Sequence, residues 1–314
     1  MVEDFASAVL VSAVRRVLAE EGLRPAVPPP PGALVPLEVK RRLLTDVAAA
    51  HGLLPLLRVG LSLPRLPPHP VISALRAADS PLDLVSRWGR LERFTHSRHR
   101  VVLRHAAPMC VTLEHLGTPG APPHPAEDAL VLGVLAALLE DTGARGLTVV
   151  LDPATVIFIG GVFTAPPPGQ DTARWRFVWS SHVPPARPAR VVSDGDLADG
   201  SRALLTTDLL RRWTVGDLAT EAAVSVRTLQ RQLRHVGGFA ALLGAVRADR
   251  AADLLTATTH PLGVIGFACG YADQPHFTRD FRRRTAMTPA AYRSAFAPPS
   301  PPTGTSGPAK VTLT

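Results

Sequence analysis

Lysine, cysteine and long apolar runs are all scarce in this chain of 314 residues. The two cysteines, Cys110 and Cys269, lie far apart, so a single disulfide stays open but a disulfide-rich scaffold is excluded. The longest apolar run covers residues 129–139 and is too short to cross a bilayer. The N-terminus also lacks the pattern of a secretory signal. We therefore expect a soluble, cytoplasmic protein.

The basic charge is almost entirely arginine, because Lys40 and Lys310 are the only lysines among 34 basic residues. The net charge is +8 and the sequence pI is about 10.7. This charge is distributed unevenly. Residues 202–297 contain 13 arginines against seven acidic residues, a net charge of +6. We therefore expect an anionic partner for the C-terminal part of the chain.

The apolar pattern divides the chain into four parts. Residues 1–183 combine helical spacing with β-favouring runs such as "RVVLRHAAPMCVTLEHL" and "RWRFVWSSHV", which predicts an α+β domain. Residues 184–201 are rich in proline, aspartate and glycine, which indicates a linker. Residues 202–297 show short helical patterns without strand signals, which predicts an all-α domain. Residues 298–314 have the composition of a disordered tail.

The segment "TVGDLATEAAVSVRTLQRQLRHVG" has the pattern of a helix-turn-helix motif. Thr214 and Ser225 are predicted to cap its two helices, and Leu229 and Leu233 are predicted to bury the inner face of the second helix. The polar side chains left on the outer face are donors that suit base edges and phosphates. They are Arg227, Thr228, Gln230, Arg231 and Arg234.

The segment "PLGVIGFACGYADQPHFTRDFRRRTAMTPAAYR" repeats this pattern. Gly270 is predicted to end its first helix, Tyr271 to fill the turn and Asp273 to cap the second helix. Phe277 and Phe281 are predicted to face the core. The outer face then carries Gln274, His276, Thr278, Arg279, Arg282 and Arg283. Arg284 and Arg293 are expected to be general phosphate or surface charges.

Between the two patterns, "FAALLGAVRADRAADLLTATT" predicts an amphipathic helix about 25 Å long. A strut of this length is suited to hold two recognition helices near one turn of DNA apart, about 34 Å.

Residues 203–296 resemble the DNA-binding domain of the AraC/XylS family of bacterial transcription regulators. The resemblance lies in "DLATEAAVSVRTLQRQL", "VRADRAADLL" and "IGFACGYADQPHFTRDFRRRTAMTPAAYR", in the order and spacing of the family. It implies an all-α domain with two helix-turn-helix motifs joined by a linker helix, in which Arg247 is mostly structural. Double-stranded DNA is the implied partner, with RNA polymerase as a second. No enzyme activity, cofactor or metal is expected.

The resemblance also implies which side chains contact DNA. In the first motif these are Arg227, Thr228, Gln230 and Arg231, and in the second they are Gln274, His276, Thr278, Arg279 and Arg282. Ser225, Arg234 and Arg283 complete the set of DNA-binding residues that we predict. Three positions depart from the family pattern, because Ala223 and Ala286 stand where glycine is usual and Gly266 stands where alanine is usual.

Residues 1–183 resemble, more faintly, the arabinose-binding-like domain of a subgroup of the same regulators. The resemblance lies in "SPLDLVSRWGRLERFTHSRHRVVLRH" and "RWRFVWSSHVPP". It implies a divergent effector-binding or oligomerisation domain. The sequence leaves open whether a small-molecule effector binds there and whether the chain forms a homodimer. Two other functions also stay open: an effector-independent dimerising or architectural DNA-binding protein, and an enzyme with a basic tethering domain.

Several other patterns are compatible with a site, but the usual structural explanation is preferred for each. His96, His99 and His105 lack companions at metal-ligand spacing, although His96 and His99 are predicted to share a helix face. Cys110 and His115 lack the third group of a catalytic thiol–imidazole pair. "FIGGVF" is interpreted as a turn between strands. Six aromatic residues are expected in the core, with an apolar ligand pocket as the alternative: Trp88, Phe94, Phe163, Trp175, Phe177 and Trp179.

Overall fold

The computed structural model describes residues 5–20, 22–23, 34–65, 70–95, 99–184 and 197–297. His96, most of the predicted linker and the predicted tail at 298–314 lie outside the described residues. Among those described, no single helix is long and apolar enough to cross a membrane. A bent pair, Leu37–His51 with Leu54–Arg65, meets the same criterion across a bend of 118°.

The N-terminal half is α+β, as predicted. Its helices are α1 (Ala8–Glu20), α2 (Leu37–His51), α3 (Leu54–Arg58), α4 (Pro70–Arg76), α5 (Pro81–Thr95) and α6 (Pro125–Asp141). A 3-10 helix spans Val59–Arg65. Its strands are β1 (Phe5–Ser7), β2 (Leu34–Pro36), β3 (Arg100–Ala107), β4 (Cys110–Leu116), β5 (Ala144–Arg145), β6 (Thr148–Leu151), β7 (Thr155–Ile159), β8 (Val162–Phe163), β9 (Arg174–Val178) and β10 (Ser181–His182).

Six of these strands form an antiparallel sheet in the order β3-β4-β9-β6-β7-β8. Val111, Phe177 and Val149 lie opposite one another across three neighbouring strands, and all three are fully buried. Helix α6 is apolar around its circumference, and its residues 126–139 are buried, as its composition predicts. The turn between β7 and β8 consists of Gly160 and Gly161, both at positive φ, which confirms the interpretation of "FIGGVF".

The aromatic residues of the N-terminal half pack in its core. Trp88, Phe163, Trp175, Phe177 and Trp179 are all buried there, so the core interpretation is confirmed for these five. Nothing is described of the Phe94 side chain.

The prediction that His96 and His99 share a helix face is wrong, whereas the rejection of a catalytic Cys110–His115 pair is supported. Helix α5 ends at Thr95, so His99 precedes strand β3 and shares no helix face with His96. Cys110 and His115 lie five residues apart on β4, and alternation along a strand places them on opposite faces of the sheet. His115 is instead part of a buried network: its Nδ1 donates to Asp128 at 2.7 Å, and Thr172 donates to the other oxygen of that carboxylate at 2.7 Å.

The C-terminal half is helical, as predicted. Its helices are α7 (Leu197–Thr207), α8 (Val215–Glu221), α9 (Val226–Gln232), α10 (Gly238–Ala257), α11 (Leu262–Ala268), α12 (Gln274–Thr285) and α13 (Pro289–Phe296). One hydrophobic cluster joins α7, α8, α9 and the start of α10, and another joins the rest of α10 with α11, α12 and α13. Leu210, Val264 and Phe267 belong to the core of the N-terminal half, so the two halves pack against each other.

Candidate nucleic-acid interface

Helices α8 and α9, the first helix pair, are fixed by two predicted caps. Thr214 Oγ1 accepts a hydrogen bond from Asp217 N at 3.1 Å, and the Asp217 carboxylate accepts one from Thr214 N at 2.8 Å. The hydrogen bonds that this carboxylate accepts from Thr214 Oγ1, at 2.7 Å, and from Thr214 N hold the pKa of Asp217 below its ordinary value. Ser225 Oγ accepts from Thr228 N at 3.1 Å. Both caps are therefore confirmed, and Leu229 and Leu233 are fully buried beneath α9.

The outer face of α9 carries the side chains that the sequence assigned to it. Arg227, Gln230 and Arg231 are exposed, and so is Arg234 in the 3-10 turn that follows. Within the part of the chain that the structure describes, these four side chains form no hydrogen bond or ion pair. Thr228 is half-buried, and its hydroxyl lies 2.9 Å from Ser225 Oγ. Four exposed donor side chains therefore lie along α9 and the turn that follows it.

Helices α11 and α12, the second helix pair, have the same local construction. Gly270 ends α11 at a φ of 78°, and Tyr271 is buried in the turn. Asp273 accepts from His276 N at 2.7 Å, as predicted for the cap of α12. Phe277 and Phe281 are fully buried. The sequence pattern therefore predicts correctly which face of α12 is buried.

The outer face of α12 divides into two groups. Gln274, Arg279 and Arg282 are exposed, and among the described residues none of the three has a hydrogen-bond or ion-pair partner. His276 is half-buried: its Nδ1 accepts from Ala272 N at 3.3 Å, and its ring packs edge-on against Tyr271 at 5.3 Å between centroids. Thr278 is also half-buried.

The three arginines at the end of α12 and in α13 make intramolecular contacts. Arg283, though exposed, pairs with Asp280, and Arg284 pairs with the same carboxylate at 3.0 Å. Burial raises the pKa of Asp280, but these two hydrogen bonds outweigh it, and the net shift is downward. Arg293 donates to the backbone oxygens of Leu255 and His260. Arg284 and Arg293 thus make structural contacts and are not simply surface charges, and a contact of either with phosphate stays a prediction.

Helix α10 connects the two helix pairs. It has 20 residues, which corresponds to about 30 Å, somewhat longer than the sequence predicts. Its Arg247 is half-buried beside the turn of the second pair, and burial lowers its pKa. A Cβ atom on Gly270 would lie 3.2 Å from Arg247 Nε, so this arginine packs closely against the turn.

Sequence reasoning missed Val226 on the outer face of α9. The spacing of Val226, Leu229 and Leu233 predicts a shared inner face. Val226 is nevertheless 40% exposed, because it is the first residue of its helix and lies beyond the cluster that buries the two leucines. An exposed aliphatic side chain beside Arg227 is the type that contacts the methyl group of thymine.

Among the described residues, no group of three or more histidine, cysteine, aspartate or glutamate side chains is arranged to hold a metal ion. Cys110 and Cys269 are both free thiols, so the alternative of one disulfide is wrong. Burial raises the pKa of Cys269 to about 12.

Comparison with known proteins also indicates a helix-turn-helix domain in the C-terminal half. A helix-turn-helix domain family matches residues 218–295. The HTH-type transcriptional activator FapR of Escherichia coli is 29% identical over 90 residues, which cover 28% of this chain and 35% of FapR. The urease operon transcriptional activator of Escherichia coli is 31% identical over 91 residues, 29% of this chain and 31% of that protein. The similarity thus spans about a third of the length of either relative.

A solved structure matches at a similar level. The transcriptional regulator from Chromobacterium violaceum described as containing an AraC-type DNA-binding domain is 27% identical, with a TM-score of 0.31. The match covers 33% of this chain and 95% of that one. The curated relatives are transcription regulators and not enzymes. The C-terminal region of this chain contains a DNA-binding helix-turn-helix domain of the AraC type found in bacterial transcription regulators.

Proposed function

We propose that the chain is a sequence-specific regulator of transcription that binds double-stranded DNA through two helix-turn-helix motifs. The first motif is α8 with α9, the second is α11 with α12, and α10 is the linker helix between them. In each motif the second helix enters the major groove. The domain boundaries of this proposal are those predicted from the sequence: 1–183, a linker at 184–201, 202–297 for DNA binding, and 298–314.

The observation that carries the proposal is the pair of outer faces on α9 and α12. Each presents exposed arginine and glutamine side chains that have no partner among the described residues. Arginine and glutamine are the side chains that read guanine and adenine by paired hydrogen bonds. A merely solvated face gives no reason for such donors to recur along the second helix of two corresponding helix pairs.

The predicted contact residues have unequal roles in this proposal. Arg227, Gln230 and Arg231 act in the first motif, and Gln274, Arg279 and Arg282 act in the second. Ser225, Thr228, His276 and Thr278 lie at or near the helix starts, where they support the caps and contact the phosphates next to them. Arg234 and Arg283 contact phosphates, and Arg283 does so while paired with Asp280. Val226 adds an apolar contact to a thymine methyl group.

RNA polymerase is the second partner in this proposal, because the relatives are named transcriptional activators. The N-terminal half is proposed to bind a small-molecule effector and to support a homodimer. The packing of Val264 and Phe267 of α11 into the N-terminal core connects that half directly to the second motif.

The test is selection of duplexes from random-sequence DNA by the full chain, followed by anisotropy titrations of a selected duplex over a range of salt concentrations. We expect one enriched sequence with two separated parts and an affinity that falls steeply with salt, since phosphate contacts release counterions. Binding without enrichment would favour an architectural protein. Absence of duplex binding at low salt would refute the proposal.

A further inference from the structure

The two halves of the chain flank a cleft of about 340 Å³, which we call the junction cleft. Ser73, Ala74 and Ala77 line it on the side of helix α4. The C-terminal half lines it with the end of α7, with α10 and the residues that follow it, and with Ala268 at the end of α11. Sites for small molecules usually have volumes of about 300–1,000 Å³. The junction cleft therefore has the size of a site for a small metabolite.

The acidic group in the wall of the cleft is fully engaged. Both oxygens of Asp208 accept from the guanidinium of Arg87, at 2.8 and 2.6 Å, and one of them also accepts from the backbone N–H groups of Leu210 and Arg211. Arg87 donates in addition to the backbone oxygen of Ala74 at 2.8 Å, so this ion pair joins the two walls. Asp208 is therefore engaged by three donor groups, and Arg87 is shared between it and Asp83, whose carboxylate accepts from Arg87 Nε at 2.8 Å.

The basic group in the wall is Arg250, and it is not engaged in this way. Its side chain is exposed, and among the described residues it takes part in no ion pair or hydrogen bond. The adjacent Asp249 pairs with Arg202 at 2.6 Å and so does not neutralise it. Asp253, one turn further along α10, does not line the cleft. Arg250 is therefore the cationic side chain in the cleft wall that is available to a ligand.

Apart from the imidazole of His260, the remaining lining is apolar or carries hydroxyl groups. Thr206, Thr207 and Thr258 donate to backbone oxygens of their own helices, at 2.6–2.8 Å, which leaves their oxygens as acceptors. Apolar surface comes from the alanines of α4 and from Leu254 and Ala268 on the opposite wall. This lining accommodates a short apolar body beside one charged group.

We propose that the junction cleft binds a small organic anion, with its carboxylate on Arg250 and its apolar body between α4 and the end of α11. Such a ligand contacts both halves at once, on α4 from the N-terminal half and on the helices that carry the proposed DNA-binding motifs. Ligand and DNA then influence each other's affinity by the same factor. The proposal that the anion binds is inferred from the cleft alone. Only its effect on the affinity for DNA rests on the proposed function.

The first test is calorimetric titration of the full chain with cyclohexanecarboxylate and with hexanoate, each compared with its uncharged amide. We expect at least one acid to bind about tenfold more tightly than its amide, since a charge-assisted contact to arginine is lost in the amide. Equal affinities of the acids and their amides would overturn the proposal. So would the absence of binding of either acid at roughly 10 mM, because the dissociation constant would then be too weak for a specific site.

Two variants locate the site. Arg250→Gln should weaken binding of the acid about tenfold, whereas Arg212→Gln, which removes an exposed arginine that does not line the cleft, should leave it unchanged. Ala77→Phe should abolish binding of acid and amide alike by filling the cleft, with folding checked by circular dichroism. Equal acid affinity in wild type and Arg250→Gln, or full binding by Ala77→Phe, would place the ligand elsewhere.

The coupling is tested separately by repeating the DNA titration with saturating acid. A changed DNA affinity in wild type and an unchanged one in Arg250→Gln are expected. If the acid binds but DNA affinity is the same with and without it, the coupling is wrong and the site stands. If the acid binds and the chain binds no DNA in any condition, it is the proposed function that fails.

Discussion

Ala223 and Ala286 share a left-handed backbone conformation, at φ angles of 54° and 60°. Ala223 lies in the turn between α8 and α9, and Ala286 follows the last residue of α12. Both are positions at which the resemblance described above leads to the expectation of glycine. They are the only residues other than glycine at positive φ within the described ranges. The backbone of each turn therefore has the geometry that favours glycine, although the residue is alanine.

Replacing either alanine by glycine should stabilise the protein. A left-handed alanine costs about 1–2 kcal/mol relative to its ordinary conformation, and part of this is regained when the Cβ atom is removed. We expect Ala223→Gly and Ala286→Gly each to raise the free energy of unfolding by up to about 1 kcal/mol in a denaturant titration.

The matched control is Ala245→Gly in the middle of α10, which should lower the free energy of unfolding by about 0.5–1 kcal/mol. The same sign of change at all three positions would show that the turns do not store the inferred strain.

The ion pair between Arg87 and Asp208 should contribute to the stability of the whole chain. The Arg87 side chain is fully buried and that of Asp208 nearly so, and removal of one partner leaves the other charge without compensation. Arg87→Ala should lower the free energy of unfolding by about 3–5 kcal/mol. Glu20→Ala, which removes an exposed partner of Arg16, should change it by less than about 1 kcal/mol.

The double variant Arg87→Ala/Asp208→Ala should lose less than the two single changes added together, because neither Arg87 nor Asp208 is then left without the other. Additive losses would mean that the two side chains do not interact in solution.

Whether a contact of the fold could be predicted from the sequence depended on how far apart its two residues lie along the chain. The caps at Thr214, Ser225 and Asp273 join residues three positions apart, and the sequence predicts all of them. The contact of Arg87 with Asp208 spans 121 positions, and nothing local indicates it.

The same limit applies to the buried network around His115, which no local pattern in the sequence indicates. Its partners Asp128 and Thr172 come from α6 and from the segment before β9, and they meet it only once the sheet has formed. The outer faces of α9 and α12 could be predicted because helical periodicity fixes them. Val226 could not, because its exposure depends on where the hydrophobic cluster ends.

Arg231→Ala and Arg279→Ala should each weaken binding of a selected duplex while leaving the melting temperature unchanged. Both side chains are exposed, and among the described residues neither has a partner to lose. A lost base contact should cost about 1–3 kcal/mol and relax preference at one position, whereas a lost phosphate contact should weaken all sequences alike. Anisotropy titrations on selected and scrambled duplexes separate the two cases.

Arg16→Ala removes the same charge from α1 in the N-terminal half and is the control for net charge. Equal affinity in wild type and both recognition-helix variants would mean that the wrong faces have been assigned to DNA.

Glu92 should make stability depend on pH. Burial raises the pKa of this carboxyl group from 4.5 to about 7, despite hydrogen bonds from Val101 N and Trp88 Nε1 that act to lower it. The folded state therefore holds a proton that the unfolded state releases, so the free energy of unfolding falls as the pH rises from about 4.5 to about 7. His99 acts in the opposite direction, because burial lowers its pKa to about 4.

Glu92→Gln isolates the contribution of the one carboxyl group. The melting temperature of the variant relative to wild type should increase between pH 5 and about 7 and stay constant above that, where Glu92 is ionised in both states. Glu38→Gln, an exposed change on α2, should give a constant difference. If the difference in melting temperature between Glu92→Gln and wild type were also constant with pH, burial would not raise the pKa of this carboxyl group.

Gly266→Ala is the last prediction, because here helix propensity and packing oppose each other. Alanine in a helix is favoured over glycine by about 1 kcal/mol. A Cβ atom on Gly266 would, however, lie 3.0–3.3 Å from the ring and Cβ of Phe277, which is itself fully buried between Tyr271 and Phe281. Crowding of a well-packed core costs typically about 1–3 kcal/mol, so we expect a lower melting temperature. Gly89→Ala on α5, where nothing lies within 4 Å of the added atom, should raise it. If Gly266→Ala melts higher as well, Phe277 has room to move, and the α11–α12 packing that orients Gln274 and Arg279 is looser than these contacts imply.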